Sequence, residues 1–402
     1  MRPFTSTITI DEARARLAAA VRPIERTERV LLERAGGRVA AADITAAVFV
    51  PPFSRSAMDG YAVVAADTAA ATRERPVRLR IVERVFTGHA ATAHVETGSC
   101  SEIATGAPLP PGADAVVMVE ETSGAQGDHV SIFAAATSGQ NIGRQGADIL
   151  PGQLVVRRGD VLNPSRVGAI AAVGCSDVEV FAQPRVAVLS TGNEVVEPGH
   201  ALAGAQIYDV NRFTLSAVVA SHGCVAVPLP PARDTLDALE ASLDQCRDAD
   251  VIIFSGGSSV GERDLIMDLV KSRGEIVFHG IAVKPGKPTL FGLVNGRPFF
   301  GMPGNPTSCL SNAYILLVPF LRATARLPVY APRTVQGTLG RRIVSQAGRH
   351  QFYTVKLQGA VAMPAFKGSG EITSLSNADG YVEIPAHESV VEENTTVTVT
   401  LF

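Results

Sequence analysis

The chain has 402 residues, with 36 Lys and Arg against 39 Asp and Glu, a formal net charge of −3, and 46% hydrophobic residues. Such a mixture supplies ample core material and lacks the basic excess of a nucleic-acid surface. The longest apolar run, residues 313–321, is nine residues with a proline inside, far short of the ~20 that cross a bilayer.

The five cysteines are scattered and form no Cys-x-x-Cys pair, and residues 1–10 lack the basic-then-apolar plan of an export signal. A reduced, cytoplasmic protein with neither a zinc ribbon nor a disulfide framework is expected. At roughly 150 residues per domain, the length calls for about two to four domains.

In chain order, IDEARARLAAA (10–20) reads as a helix with Asp11 near its start. Residues 49–61 (FVPPFSRSAMDGY) break all periodicity with Pro and Asp-Gly turn chemistry. VRLRIVERV (77–85) largely alternates apolar with charged residues, and period two means strand. Short strands at 116–120 and 130–133 make residues 50–140 mostly β. LPGQLVVRRGD (150–160) reads as turn, strand, turn, and residues 163–173 read as a helix with Pro164 in its first turn.

From residue 185 the rhythm becomes strand–helix. Strands are predicted at 185–190, 225–229 and 250–255, with helices at 209–222, 234–247 and 262–273. Two more strands flank 284–288, and a turn after 299–301 leads into a long helix from Asn305. Unbroken apolar strands alternating with helices predict a doubly wound, mostly parallel α/β sheet covered on both faces. Beyond about residue 327 the pattern returns to β, ending in the alternating TTVTVTL of 395–401. The expected division is 1–48 with 141–182 as a discontinuous mixed α/β domain, 49–140 as an inserted β-rich domain, 183–327 as the α/β domain, and 328–402 as a C-terminal β domain.

Four glycine-containing turns follow strands in the α/β region: STGNE (190–194), SGGSSVG (255–261), KPGKP (284–288) and GMPGNPTS (301–308). Ligands of open α/β sheets bind beyond the carboxyl ends of the strands. Glycine lets backbone approach an anion there, and Lys284 and Lys287 add positive charge. Together they predict an anionic, phosphorylated ligand, although each turn alone is more often only a turn. Neither the Walker A nor the dinucleotide glycine fingerprint fits. Glu194, Asp209, Asp234 and Asp264 gather at the same loop ends. Helix capping is the plain expectation for Asp209 and Asp234. Glu194 and Asp264 sit at no obvious cap, and carboxylates beside a phosphate site suit Mg²⁺. The loops 54–61 and 103–112 read singly as structural turns. No His pair, Ser-His-Asp order or Cys–His nucleophile stands out.

Taken together, SRSAMDGYAV, IATGAPLPPGADAVVMVE, STGNE, IYDVN, SGGSSVGERD, VKPGKP and GMPGNPTS, in this order, with GSGEITSL and ADGY near the end, resemble the molybdopterin molybdenumtransferase family, which includes the E domain of gephyrin. The resemblance covers nearly the whole chain. It implies an enzyme that takes adenylylated molybdopterin and molybdate, inserts the metal into the dithiolene and releases AMP, assisted by Mg²⁺ or another divalent ion. It also implies an elongated cytoplasmic homodimer of four-domain subunits, with the molybdopterin adenylyltransferase as a further partner and neither nucleic acid nor membrane.

Carried over residue by residue, the resemblance implies catalytic roles for Asp59, Thr105, Glu194, Asp234 and Asp264, with Glu194 and Asp264 as metal ligands. It implies substrate contacts from Asp209, Asn211, Ser255, Gly256, Gly257, Lys284, Lys287, Pro303, Ser308 and Ser369. Three positions depart from the family's pattern: Gly143 stands where QN(V/I)R has its arginine, Ala147 where GED has its glutamate, and Thr354 where Phe-x-Arg-Val has the arginine that meets molybdate. Arg349 and Lys356 are the nearest cations to that last position. The alternative is a non-catalytic dimeric molybdopterin-binding scaffold, or a paralogue with altered oxyanion handling. The related adenylyltransferases share the α/β domain but are short single-domain proteins, so the β domains here argue against that third reading.

Overall fold

The computed structural model describes residues 7–256, 264–345 and 347–402. The chain forms two compact units. One holds residues 7–28, 37–39 and the described residues from 180 to 402; the other holds residues 29–36 and 40–179.

The larger unit is built on a six-stranded sheet in the order Val225–Pro228, Arg185–Ser190, Val251–Ser255, Arg297–Met302, Leu290–Val294, Gly274–His279. The first four strands run parallel, Leu290–Val294 is reversed near the edge, and Gly274–His279, antiparallel to it, runs again in the direction of the first four. The sequence does not show that edge reversal, because short apolar runs carry no direction. The unbroken apolar strands each feed two cores. Val186, Val188, Val251, Ile253, Phe300 and Met302 face one, while Ala187, Leu189, Ile252, Phe254 and Phe299 face the other. Side chains alternate across a strand, so a strand buried on both faces has no polar position to offer.

The helices match their expected places with trimmed ends. Asn211–Ser221 ends against Gly223, whose φ of +78° closes the helix in the left-handed region. Leu236–Gln245 is capped by the Thr235 hydroxyl, not by Asp234. Leu265–Arg273 is capped by Asp264, which accepts the Met267 N–H at 3.0 Å. This overturns the sequence expectation that Asp264 sits at no cap. Gly274 is extended and opens the next strand instead of closing the helix. The long helix begins at Pro306 and changes to a π-helical turn at Ala313–Leu317, just before Pro319, which has no N–H for the preceding turn.

The C-terminal strands close on themselves. His350–Gln358 pairs with Val361–Pro364, which pairs with Thr334–Leu339, then Thr396–Leu401, then Gly380–Ile384, which returns to His350–Gln358. The interior is apolar, with Leu339, Val355, Ile384 and Val399 buried. The two-residue strand Val283–Lys284 joins this ring parallel to His350–Gln358.

The second unit carries a six-stranded sheet: Ala115–Met118, Gly60–Val63, Ser99–Ile103, Val77–Val85, His129–Ile132 and Thr122–Gln126. Its helix Pro164–Ala172 is capped by the Asn163 side chain, with Pro164 as its first residue. Gly143 lies opposite Arg55 in a short antiparallel pair.

Candidate active site

A cavity of about 1460 Å³ opens where the carboxyl ends of Arg185–Ser190, Val251–Ser255 and Arg297–Met302 meet the Val283–Pro288 segment. Of the expected residues, Glu194, Asp209, Asn211, Asp234, Ser255, Gly256, Lys284, Lys287, Pro303, Ser308 and Ser369 line it. Gly257 lies outside the described residues. Leu265 reaches the wall, whereas the neighbouring Asp264 carboxylate accepts from Met267 N–H and lies 3.2 Å from His279 Nε2.

The acidic wall starts at the STGNE turn. Gly192 holds φ +154°, and a Cβ there would come within 2.9 Å of both Glu194 carboxylate oxygens, so glycine lets that carboxylate fold back over the turn. Asp234 donates its N–H to Asn193 Oδ1 at 3.3 Å. Its own Oδ1 is buried without a hydrogen-bond partner among the described residues. Burial pushes the Asp234 carboxyl up from the ordinary range and the Glu194 charge adds to this, while the Thr191 hydroxyl opposes it.

Asp209 is the anchored acid. It is 3% exposed, and its Oδ1 accepts from Ser190 Oγ at 2.7 Å and from Arg212 N–H at 3.1 Å. The second oxygen lies 3.2 Å from Arg212 Nε, and Arg212 also reaches Glu197 at 2.8 Å. Asp209 thus accepts a first-turn N–H of its helix, as a cap does. Asn211 donates to Gly304 O at 2.8 Å, tying the IYDVN and GMPGNPTS turns together.

The cationic wall is the KPGKP turn, and a residue outside the cavity holds it in shape. Asn312, fully buried in the long helix, donates to Gly286 O at 2.8 Å and to Thr289 Oγ1 at 2.6 Å. Thr289 in turn donates to Gly286 O at 3.0 Å. Gly286 holds φ +98°, and a Cβ there would stand 2.3 Å from the Asn312 amide. Across the cavity, Asn305 donates to Ser369 Oγ at 3.2 Å, and Thr307 N–H donates to Ser369 O at 3.1 Å.

In the second unit, Asp59 Oδ1 accepts the Thr105 N–H at 2.7 Å. Hydrogen bonds from the Thr105 backbone and side chain hold the Asp59 carboxyl below the usual carboxylate range. Two loops that read singly as turns are therefore one construction, stitched also by Ser56 N–H to Ala107 O and Gly106 N–H to Ser56 O.

Three family models tile the chain. They are the MoeA N-terminal region (domains I and II) over residues 8–174, a probable molybdopterin binding domain over 187–323, and the MoeA C-terminal region (domain IV) over 336–402. Molybdopterin molybdenumtransferase 2 of Mycobacterium tuberculosis is 37% identical over 389 residues, covering 94% of each chain. The chain belongs to the molybdopterin molybdenumtransferase family. The molybdopterin molybdenumtransferase of Haemophilus influenzae is 31% identical over 407 residues and covers 98% of each chain. Among solved structures, a molybdopterin biosynthesis MoeA protein of Pyrococcus horikoshii superposes with a TM-score of 0.85 at 38% identity, over 98% of this chain and 99% of that one.

Within this molybdenumtransferase fold, Ser190, Thr191 and Asn305 belong to turns that the sequence singles out, whereas it assigns nothing to Arg212, Asn312 or Phe366. Arg212 was visible as the i+3 partner of Asp209. Asn312 had one signal, an amide inside the apolar helix that opens PTSCLSNAYILL. Thr354, where the family's arginine is expected, does not reach the cavity. It is 1% exposed, its hydroxyl has no partner among the described residues, and it lines a separate small hollow with Tyr314, Tyr381 and Phe402. Among the described residues, no three His, Cys, Asp or Glu converge as a metal cage. None of their helices is long and apolar enough to cross a membrane.

Proposed function

We propose that this chain is a molybdopterin molybdenumtransferase: it takes adenylylated molybdopterin and molybdate, delivers the metal to the dithiolene and releases AMP. The observation that carries this is one cavity with two walls of opposite charge, Lys284 and Lys287 on one and Glu194 and Asp234 on the other. A volume of about 1460 Å³ exceeds the ~300–1,000 Å³ of ordinary ligand pockets, which suits a pterin–nucleotide substrate with an oxyanion beside it.

Lys284 and Lys287 hold the oxyanion by charge-assisted hydrogen bonds. Ser308 and Ser369 offer hydroxyls to its remaining oxygens, and Asn211 and Pro303 shape the floor beneath the pterin. Fixing both reactants in one frame supplies much of the acceleration. Asp59 and Thr105 keep the catalytic role implied by the resemblance.

A hard divalent cation such as Mg²⁺ fits the acidic wall, because Asp234 presents a buried oxygen without a partner beside the Glu194 charge. Glu194 and Asp234 would hold it, with substrate phosphate and water completing the shell. Asp264, whose oxygens already face Met267 N–H and His279, is the less ready ligand. Bound there, the cation supplies neutralisation and polarisation of the phosphate.

A homodimer, contact with the adenylyltransferase, the four-part domain division and a cytoplasmic location belong to the same reading. All five cysteines are unpaired, in keeping with a reducing compartment.

The test is molybdate-dependent AMP release from adenylylated molybdopterin by the purified chain. Lys284→Ala and Lys287→Ala are expected to lower it at least tenfold. Pterin binding without AMP release would leave the scaffold reading standing instead.

A further inference from the structure

We propose that Arg212 is a positioning residue for the acidic wall: it staples the wall segment formed by residues 194–208 to the main sheet. The kinetic consequence rests on the proposed function, whereas the structural consequence does not.

That segment gives the cavity four residues, Glu194, Val195, Ile207 and Tyr208. Its two arms, Val195–Val196 and Ile207–Tyr208, form a two-stranded parallel sheet of their own. Ile207 N–H donates to Glu194 O and Asp209 N–H to Val196 O, each at 2.8 Å. The Tyr208 hydroxyl donates to His200 O at 2.9 Å and steadies the connection between the arms. Two strands of two residues are marginal in water on their own, and Ile207 and Tyr208 are exposed. The segment therefore needs an anchor outside itself.

Arg212 supplies one. It sits in the first turn of Asn211–Ser221 and does not itself line the cavity. Its side chain is 11% exposed and touches three stretches of chain at once. Nη1 lies 2.8 Å from Glu197 Oε1, just past the first arm, and donates to Leu229 O at 3.1 Å, just past the edge strand Val225–Pro228. Nε lies 3.2 Å from Asp209 Oδ2, just past the second arm. The guanidinium carbon stands 4.9 Å from the centre of the Phe213 ring. Both arms thus end on one guanidinium that is also tied to the main sheet. Arg26, Arg273 and Arg342, by contrast, each pair with one carboxylate. A planar fork can bridge two carboxylates and a carbonyl, which the single ammonium of a lysine cannot do in the same geometry.

The staple acts on one wall only. The lysine turn is braced separately, by Asn312 and by pairing with the His350 strand. Freeing the segment loosens Glu194 through its Ile207 partner, so the grip on the adenylylated pterin weakens while the oxyanion keeps its site.

The experiment uses the full chain with Arg212→Ala, Arg212→Lys and Glu197→Ala, and Arg273→Ala as control. Hydrogen exchange is read over residues 195–209 by mass spectrometry, and KM is read in AMP release for adenylylated molybdopterin and for molybdate. Glu197→Ala removes one foot of the staple and leaves Asp209 paired, so it stays informative if the buried, unpaired Asp209 unfolds Arg212→Ala. All three variants are expected to speed exchange in the segment by about tenfold or more. The KM for adenylylated molybdopterin should rise severalfold, that for molybdate should stay within about twofold, and Arg273→Ala should match the parent. Parental exchange in Glu197→Ala and in a folded Arg212→Ala would overturn the staple. Faster exchange with parental KM values would overturn its role in holding substrate and leave the function intact. Equal rises in both KM values would also overturn the assignment, because the lysine turn would then depend on the same anchor. If the parent releases no AMP, the proposed function falls, and faster exchange in the variants still upholds the staple.

Discussion

Asn312 separates positioning from contact with substrate, because it touches the lysine turn from behind and does not line the cavity. Replacing it by Ala deletes two buried hydrogen bonds from one amide, to Gly286 O and Thr289 Oγ1. At about 0.5–1.5 kcal/mol each, the loss is about 1–3 kcal/mol. Removing the buried, unpartnered Asn312 Oδ1 offsets part of it, and the space left by the side chain adds some back. At about 2–4 °C per kcal/mol for a unit of this size, the thermal midpoint of that transition should fall by roughly 2–12 °C. The Gly286 peptide should then relax and the two lysines lose their spacing. The KM for molybdate should rise severalfold, with a smaller change in the pterin KM. Asn312→Asp should be worse, because a carboxylate cannot donate to either acceptor. The assays are scanning calorimetry and molybdate-dependent AMP release. An Asn312→Ala protein with a parental midpoint and a parental molybdate KM would refute the claim that this amide sets the turn.

Three further outcomes follow from the acids. Asp234 has its pKa raised by burial and by Glu194, so the folded state holds its proton more tightly and stability falls as pH rises from the unfolded pKa through the folded one. Asp234→Asn should therefore raise the midpoint at neutral pH while cutting the stabilisation gained from added Mg²⁺; a variant that still gains as much as the parent would count against the acidic wall as the cation site. Asp264→Asn keeps a capping acceptor and removes the charge, so stability should change by less than about 0.5 kcal/mol, whereas Asp264→Ala should lose about 0.5–2 kcal/mol; activity retained in the Asn variant would make Asp264 a cap alone. Asp59 has a depressed pKa through the Thr105 hydrogen bonds, so that bond is complete above the unfolded pKa and is lost as pH falls through the folded one. The Thr105 amide proton should report a titration below the ordinary carboxylate range, and Asp59→Asn should abolish it.

Much of this was legible where the physics is local. Ile10–Ala20 and Val77–Val85 span the same residues in sequence and structure, since their periodicities are carried by adjacent side chains. The cavity residues of the four glycine turns were found because strand ends and cations both leave marks in sequence. Asp264 escapes the sequence pattern because a helix predicted from residue 262 hides a cap at 264 inside it. Asp234 failed the other way, as Thr235 took the cap one residue later. Closure of the C-terminal ring depends on the pairing of His350–Gln358 with Gly380–Ile384, a long-range choice with no local signature. The Asn312–Gly286 contact spans 26 residues and joins a helix interior to a turn, so only the folded chain reveals it.

The short strand Val283–Lys284 has a further consequence. Its ladder partner belongs to the C-terminal ring, while the turn that follows is clamped by the helix that begins at Pro306. One stretch of six residues is thus sewn into two separate hydrogen-bond fabrics. A protein truncated before residue 334 would keep every lysine and every acid of the cavity, yet would lose the seam that holds one edge of its anion grip. For this architecture the C-terminal ring works as a buttress, and a minimal version of the α/β sheet with its helices alone would need another brace for the same turn.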